Sequence, residues 1–358
     1  MLIKVADPAF QTILFSVIFL CLMLISFRRL RSNNFFSKEV TNQLKGLAIF
    51  AVVFSHISLF LFYEPKFLYP YNVLAGVGVN LFLFLSGFGL TVSYLKSPLS
   101  PVDFYKKRLS KLFIPLWIVI TAVLLIDFLA LGRTYPLSEI IHAFLGFYPR
   151  ADVSINLDSP LWYFSLIFFY YLLFPLTFFK KIPLLSPFLV LCVTLLVLNL
   201  KLPVHPDVIK LYKLHTLAFP LGMLFGLTVQ KINLKLNSAL KLLALLMALF
   251  VFLYTALHSG VGEDPKIEQT ISLITTLSLV VIFSLSKFDF KLLSLFGIYS
   301  YEIYLLHWPV LSRFNLFSGL PPFLVVTLNL GLIFLLGYGI QKVVTKLTTQ
   351  FYRLRAHR

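Results

Sequence analysis

Acidic residues are scarce in this chain. There are 14 Asp and Glu against 31 Lys and Arg, and charged residues of both signs together make up only 13% of its 358 residues. Cysteine is nearly absent. Cys21 and Cys192 each sit inside an apolar run, which excludes a disulfide framework. No linker is long enough to separate soluble domains, and no internal repeat or low-complexity tract is visible, which argues against a transporter built from inverted halves. The first apolar stretch has no A-x-A site, and its basic cluster "RRLR" at 28–31 follows it instead of preceding it. It therefore reads as a retained anchor, not a cleaved signal peptide. His205 and His215, ten residues apart in "HPDVIKLYKLH", have no nearby acid or thiolate to complete a ligand set, so no metal is expected.

What fills the space is apolar. Hydrophobic residues are 59% of the chain and aromatics 16%, an excess that only an integral membrane protein carries. A formal charge of +17 would suggest nucleic acid in a soluble protein. Here the basic residues lie in short loops between apolar runs, the positive-inside pattern, and no nucleic-acid partner is implied.

Runs of spanning length fall near 8–27, 45–63, 73–95, 112–131, 161–179, 184–200, 211–230, 238–258, 267–286, 292–312 and 322–345. The loop charges set their direction. With the N-terminus outside, about 22 of the 31 basic residues share one side, including Arg28, Arg29, Arg31, Lys96, Lys106, Lys107, Arg108, Lys111, Lys231, Lys235, Lys287, Lys291, Arg353, Arg355 and Arg358. That alternation predicts an all-α membrane protein of about eleven helices with a cytoplasmic C-terminus. The longest outer connection, roughly 132–160, contains "EIIHAFLGF", which predicts a short interfacial helix.

Polar residues inside the spans are the candidates for function, because ionisable groups are costly there. In "NQLKGLAIFAVVFSHIS", 42–58, Lys45 and His56 are eleven residues apart. At about 100° per residue they share a face, with His56 about 16 Å further along the helix. In "FGIYSYEIYLLHWPV", 296–310, Ser300, Tyr304 and His307 share one face and Glu302 points roughly 140° away from His307. The acid and the imidazole thus serve different walls. Lys107, Arg108 and Lys111 form a basic cluster suited to phosphate. "GVGVNLFLFLSGFG", 76–89, is glycine-rich within a span and carries Asn80.

Five segments in order resemble the acyltransferase-3 family of integral membrane acyltransferases. "NQLKGLAIFAVVFSHIS" resembles its first core helix, with a basic residue eleven positions before a His. "GVGVNLFLFLSGFGL" is similar to its second, "FYKKRLSKLFIPLW" to its basic loop, and "SPLWYFSLIFFYYLL" to its Leu-Trp-Phe helix. "FGIYSYEIYLLHWPV" resembles its Ser-Tyr-x-x-Tyr-Leu-x-His-x-Pro signature. The match spans 42–347, a ten-helix core. Residues 1–41 are then an additional anchor helix and basic linker, and 348–358 a basic tail. Asn42 and Asn80 stand where the family commonly has Asp, and Lys45 and Lys111 where it commonly has Arg.

The resemblance implies transfer of an acyl group, commonly acetyl from acetyl-coenzyme A or another acyl-coenzyme A, to a hydroxyl of a carbohydrate or lipid-linked glycan. It implies a multi-pass protein of the cell membrane, of bacterial cytoplasmic type, in contact with membrane lipids and with no permanently bound cofactor. His56 is the expected catalytic residue, as general base or as transient acyl carrier, with Lys45 on its helix. Glu302, at a position the signature leaves free, is expected to orient His56 in place of the acid missing at Asn42. Lys107, Arg108 and Lys111 are expected to hold the donor. Asn42, Asn80, Ser86, Trp162, Ser300, Tyr304 and His307 are expected to line the cavity. The competing reading is a transporter or flippase for a polar glycolipid, using the same cavity without chemistry.

Overall fold

A computed structural model describes residues 3–29, 35–62, 64–150, 159–229, 237–259, 264–286, 288–313 and 316–356. Arg31, Lys231, Lys235, Lys287, Arg358 and the 151–158 part of the long connection lie outside the described residues, as do the side chains of Arg353 and Arg355.

The chain is almost entirely helical. The order is α1 (Pro8–Ile25), β1 (Phe27–Arg29), α2 (Lys38–His56), α3 (Ala75–Lys96), α4 (Pro101–Leu131), α5 (Leu137–Leu145), α6 (Trp162–Thr177), α7 (Leu185–Leu198), α8 (Pro206–Leu214), α9 (Ala218–Thr228), α10 (Ser238–His258), α11 (Pro265–Leu285), β2 (Phe288–Phe290), α12 (Lys291–Ile298), α13 (Ser300–Arg313) and α14 (Pro322–Ala356). Helices satisfy every backbone donor and acceptor within one segment, which hydrocarbon demands. The helix expected within 132–160 is α5.

Among the described residues, seven helical stretches are long and apolar enough to cross a membrane: α1, α3, α4, the joined α8 and α9, α10, α11 and α14. The other four apolar runs are helical too, and each falls short for a local reason. α6 and α7 have 16 and 14 residues. α2 carries Lys38, Glu39, Lys45 and His56, and continues as a wider π-helix over Ile57–Phe62. The 292–312 run breaks at Tyr299 into α12 and α13. The sequence argument did not anticipate the one sheet: β1 and β2 pair antiparallel, Arg28 opposite Asp289.

Contacts between loops gather the chain's turns at two ends. At the basic end, β1 meets β2, and Gln43 reaches both strand residues, donating to Phe288 O at 3.2 Å and accepting from Phe290 N at 2.9 Å. At the opposite end, Leu68 N donates to Thr12 Oγ1, His205 N to Pro149 O, and Gln269 Nε2 to Lys213 O.

Two glycine interlocks fix the helix spacing around the core. A Cβ on Gly46 would strike the Leu293 carbonyl, and one on Gly297 the Asn42 carbonyl, so α2 and α12 touch backbone to backbone. Gly87 and Gly222 do the same for α3 and α9, against Phe219 O and Phe84 O. Small residues allow this approach, and dispersion between backbones holds helices together where the surrounding lipid offers no hydrophobic drive. α1 lies outside the core and is tied in mainly by Phe15, buried among Phe19, Phe54 and Tyr71.

The end of α13 is anchored by a buried ion pair. Arg313 Nε donates to Asp127 Oδ1 of α4 at 2.6 Å, and the Tyr135 hydroxyl donates to Asp127 Oδ2 at 2.5 Å. Arg313 and Asp127 are 4% and 0% exposed. A pair this buried is strongly destabilising to break, because the remaining charge has no water to turn to. It holds α13, and the residues preceding Arg313, in register with α4.

Candidate active site

His56 is the last residue of α2, immediately before the π-helical turns that widen the chain. Such widenings recur at functional sites because they displace a side chain from the regular helical face. Opposite it, on α13, stands His307, fully buried. His56 Nδ1 and His307 Nε2 are 2.8 Å apart, with the two rings nearly parallel at a centroid distance of 5.0 Å.

The second nitrogen of His307 decides the protonation pattern. His307 Nδ1 lies 2.6 Å from the Tyr304 carbonyl oxygen, which can only accept, so Nδ1 carries the proton. In a neutral His307, Nε2 then bears the lone pair and must accept from His56 Nδ1–H. His56 Nε2 is left as the basic nitrogen of a neutral ring. The tautomer follows from the hydrogen-bond chain, as it does for any histidine whose second nitrogen is fixed.

His56 borders a cavity of about 290 Å³ together with Trp162, Tyr163, His215, Glu268 and Tyr304. Its residues come from the C-terminal end of α2, the N-terminal ends of α3, α6 and α11, and from α8, so the cavity lies toward the end of the bundle remote from the basic cluster. Tyr304 is held by its hydroxyl, which donates to Pro160 O at 2.8 Å. His215 is held from two sides. Its Nδ1 donates to Asn80 Oδ1 at 2.8 Å, Asn80 Nδ2 donates onward to Ser272 Oγ at 3.0 Å, and the Trp162 indole stacks on the ring at 5.8 Å.

Of the residues expected around the cavity, Trp162 and Tyr304 are on its wall. Asn80 lies behind the wall and orients His215. Ser86 lies deeper along α3, within polar reach of the Tyr163 and Tyr171 hydroxyls. Ser300 turns onto the helix joint, donating to Gly297 O, and Asn42 contributes its carbonyl to the α2–α12 interlock. His307 is the ring partner of His56.

Glu302 lies on the α14 side of α13, where its Cβ faces Gly337, and the side chain of α13 that meets the His56 ring is His307. Glu302 is buried, with 6% exposure. The reason is rotational. Glu302 and His307 lie on different faces of one helix, and α13 presents the His307 face to α2.

Lys45 lies two turns inside the N-terminal end of α2, eleven residues and about 16 Å from His56 by helical rise. It lies within reach of the Lys111 charge, so it belongs with the basic cluster and not with the imidazoles. In that cluster Arg108 donates from Nη2 to Ser93 Oγ at 3.1 Å, while among the described residues its buried Nε has no hydrogen-bond partner. Lys107 and Lys111 are exposed. Between the cluster and the imidazoles run four tyrosines. Tyr171 feels the Arg108 charge, Tyr301 donates to Leu112 O at 2.5 Å, and the Tyr163 ring meets Tyr304 edge-on at 5.4 Å.

A basic cluster at one end, paired imidazoles toward the other and buried tyrosines between them suit a reaction whose two substrates enter from opposite ends. A family model described as an acyltransferase domain matches residues 41–342. The chain belongs to this acyltransferase-3 family. Neither a curated protein nor a solved structure gives a significant match. Membership makes the chain a membrane acyltransferase in general terms, and the match covers every residue of the site described above, from Asn42 and Lys45 through His307.

Three residues that border the His56 cavity were not among the sequence-predicted candidates: Tyr163, His215 and Glu268. His215 was weighed only as a metal ligand, although Leu211, Leu214 and His215 sit at the spacing of one helical face. Tyr163 follows Trp162 directly, inside the apolar run of α6, and carries no signal of its own. Glu268 carries no local signal, since it reaches the cavity only through the packing of α11.

Proposed function

We propose that this protein transfers an acyl group, commonly acetyl, from acyl-coenzyme A to a hydroxyl of a cell-surface or lipid-linked carbohydrate. The observation that carries the reading is the His56–His307 pair beside a cavity at the end remote from the basic cluster. His56 Nε2 takes the proton of the acceptor hydroxyl, and the oxygen attacks the thioester carbonyl. The carbon–sulfur bond breaks, and the coenzyme A thiolate recovers the proton from the imidazolium. While His56 is charged, His307 Nε2 accepts its Nδ1–H and stabilises the ion.

The donor enters from the basic end. Its phosphates suit Arg108, Lys111 and Lys45, with Lys107 at the rim, and Arg108 Nε, which has no acceptor among the described residues, is a donor suited to a phosphate oxygen. The pantetheine arm follows the tyrosine path toward His56. Membranes incubated with labelled acetyl-coenzyme A and an oligosaccharide acceptor test the reaction directly. Arg108→Ala with Lys111→Ala is expected to raise the donor KM by about 10–100-fold, one or two charge-assisted contacts, with kcat at saturating donor little changed. Unchanged donor affinity would leave the cluster as a topogenic signal only.

In this reading the N-terminus and the 132–150 segment face outward and the basic end is cytoplasmic, in a cell membrane of bacterial type. Support comes from the loop charges. In a chain lacking Cys21 and Cys192, an impermeant thiol reagent on intact cells is expected to label Ser138→Cys and spare Ser97→Cys. Equal labelling of both would remove the orientation.

A further inference from the structure

Away from His56, α5 and the loop before α8 enclose a second cavity of about 500 Å³, bordered by Glu139, His142, Arg150 and His205 with Phe147 and Tyr148. The two walls are joined by the bond from His205 N to Pro149 O at 2.8 Å. Among the described residues Arg150 has no carboxylate partner, although Glu139 shares the cavity. Directly beside it a groove of about 260 Å³ runs between α6 and α7, bordered by Phe168, Phe169, Leu172, Val197 and Leu198. The two spaces share Phe147, Pro203 and Val204 on their borders, so a polar cavity and an apolar groove lie side by side and together make an amphipathic depression. Its apolar part lies along helices that present Leu172, Leu176, Leu195 and Leu196 on the surface of the protein.

We infer that this depression docks a membrane lipid bearing a sugar phosphate, as the carrier of the acceptor. The hydrocarbon chain lies in the α6–α7 groove, Arg150 takes the phosphate, and Glu139, His142 and His205 bond sugar hydroxyls over the Phe147 and Tyr148 rings. One groove fits one chain, which favours a polyisoprenyl carrier over a two-chain phospholipid. The location also suits the chemistry. Tyr212 borders the groove and its ring is 6.2 Å from Trp162, which borders the His56 cavity. A glycan held here needs to cross only that Trp162–Tyr212 wall to reach the imidazole. The inference rests on the carbohydrate-acceptor reading, and binding is measured without turnover so that each can fail alone.

The test uses full-length protein in nanodiscs with a polyisoprenyl-phosphate sugar carrying a diazirine near the start of its chain. Labelling is expected within residues 165–172 and 194–204, competed by the same lipid without diazirine and not by the tail-less sugar phosphate. Arg150→Ala is expected to cut labelling roughly tenfold, the loss of one charge-assisted contact. Val197→Trp, which fills the groove from its half-buried wall, is expected to do the same, with unfolding temperature in detergent as the folding control. The same experiment on His56→Ala protein should label normally. Labelling spread equally over α1 and α10, or equal competition by phosphatidylglycerol, would overturn the site as ordinary lipid contact. Normal labelling with no acyl transfer to the lipid would keep the site and remove the enzymatic reading.

Discussion

His56→Ala is expected to abolish acyl transfer while leaving the protein folded. General-base catalysis contributes about 10²–10⁴-fold, and here the base is also the group that charges in the transition state. Folding should survive because His56 is only half-buried, although its removal costs the hydrogen bond to His307 Nε2. The measurement is turnover of labelled acetyl-coenzyme A, with thermal unfolding in detergent as the control. A variant that retains near-normal transfer would remove His56 from the chemistry. The same assay separates the two roles open to this histidine. Incubating wild-type protein with labelled donor and no acceptor should leave the chain unlabelled if His56 is a base. Stoichiometric label on His56 would make it an acyl carrier, with the acceptor attacking the acyl-imidazole in a second step.

How much of this was legible in the sequence depends on whether one helix or two is involved. Lys45 and His56 lie on one unbroken helix, so periodicity alone put them on one face about 16 Å apart, and the structure keeps both within α2, eleven residues apart. The angular separation of Glu302 from His307 was readable for the same reason. Which of those two faces meets α2 was not, because it is set by the break at Tyr299 and by the Arg313–Asp127 anchor, features of packing between segments 186 positions apart. The β1–β2 pair was invisible likewise: two three-residue strands have no periodicity to read, and their partners are separated by the whole core. His215 shows a third limit. Its chemistry was in view, but its use depends on Asn80 and Trp162 arriving from two other helices. The apolar runs themselves were fully legible, since each is helical and only their lengths and breaks were left to local chemistry.

The pairing of His56 with His307 gives the sharpest contrast between the sequence argument and the structure. With Glu302 as the orienting group, Glu302→Gln would slow turnover and move its pH profile. With His307 in that role, Glu302→Gln is expected to change turnover less than about twofold and leave the pH profile where it is, since its Cβ faces α14. His307→Phe, by contrast, keeps an aromatic ring in the buried slot but removes the acceptor for His56 Nδ1–H. The lost interaction is a charge-assisted hydrogen bond in the transition state, typically about 1.5–3 kcal/mol, so kcat should fall about 10–100-fold. The donor KM should hardly move, because the basic cluster lies at the other end of α2. His307→Gln offers a carbonyl oxygen in place of Nε2 and is expected to recover part of that loss. A merely structural histidine would instead show equal damage in His307→Phe and His307→Gln, together with a lowered unfolding temperature. If Glu302→Gln shifts the profile and His307→Phe does not slow the reaction, the imidazole pair is a packing contact and the acid is the group that tunes His56.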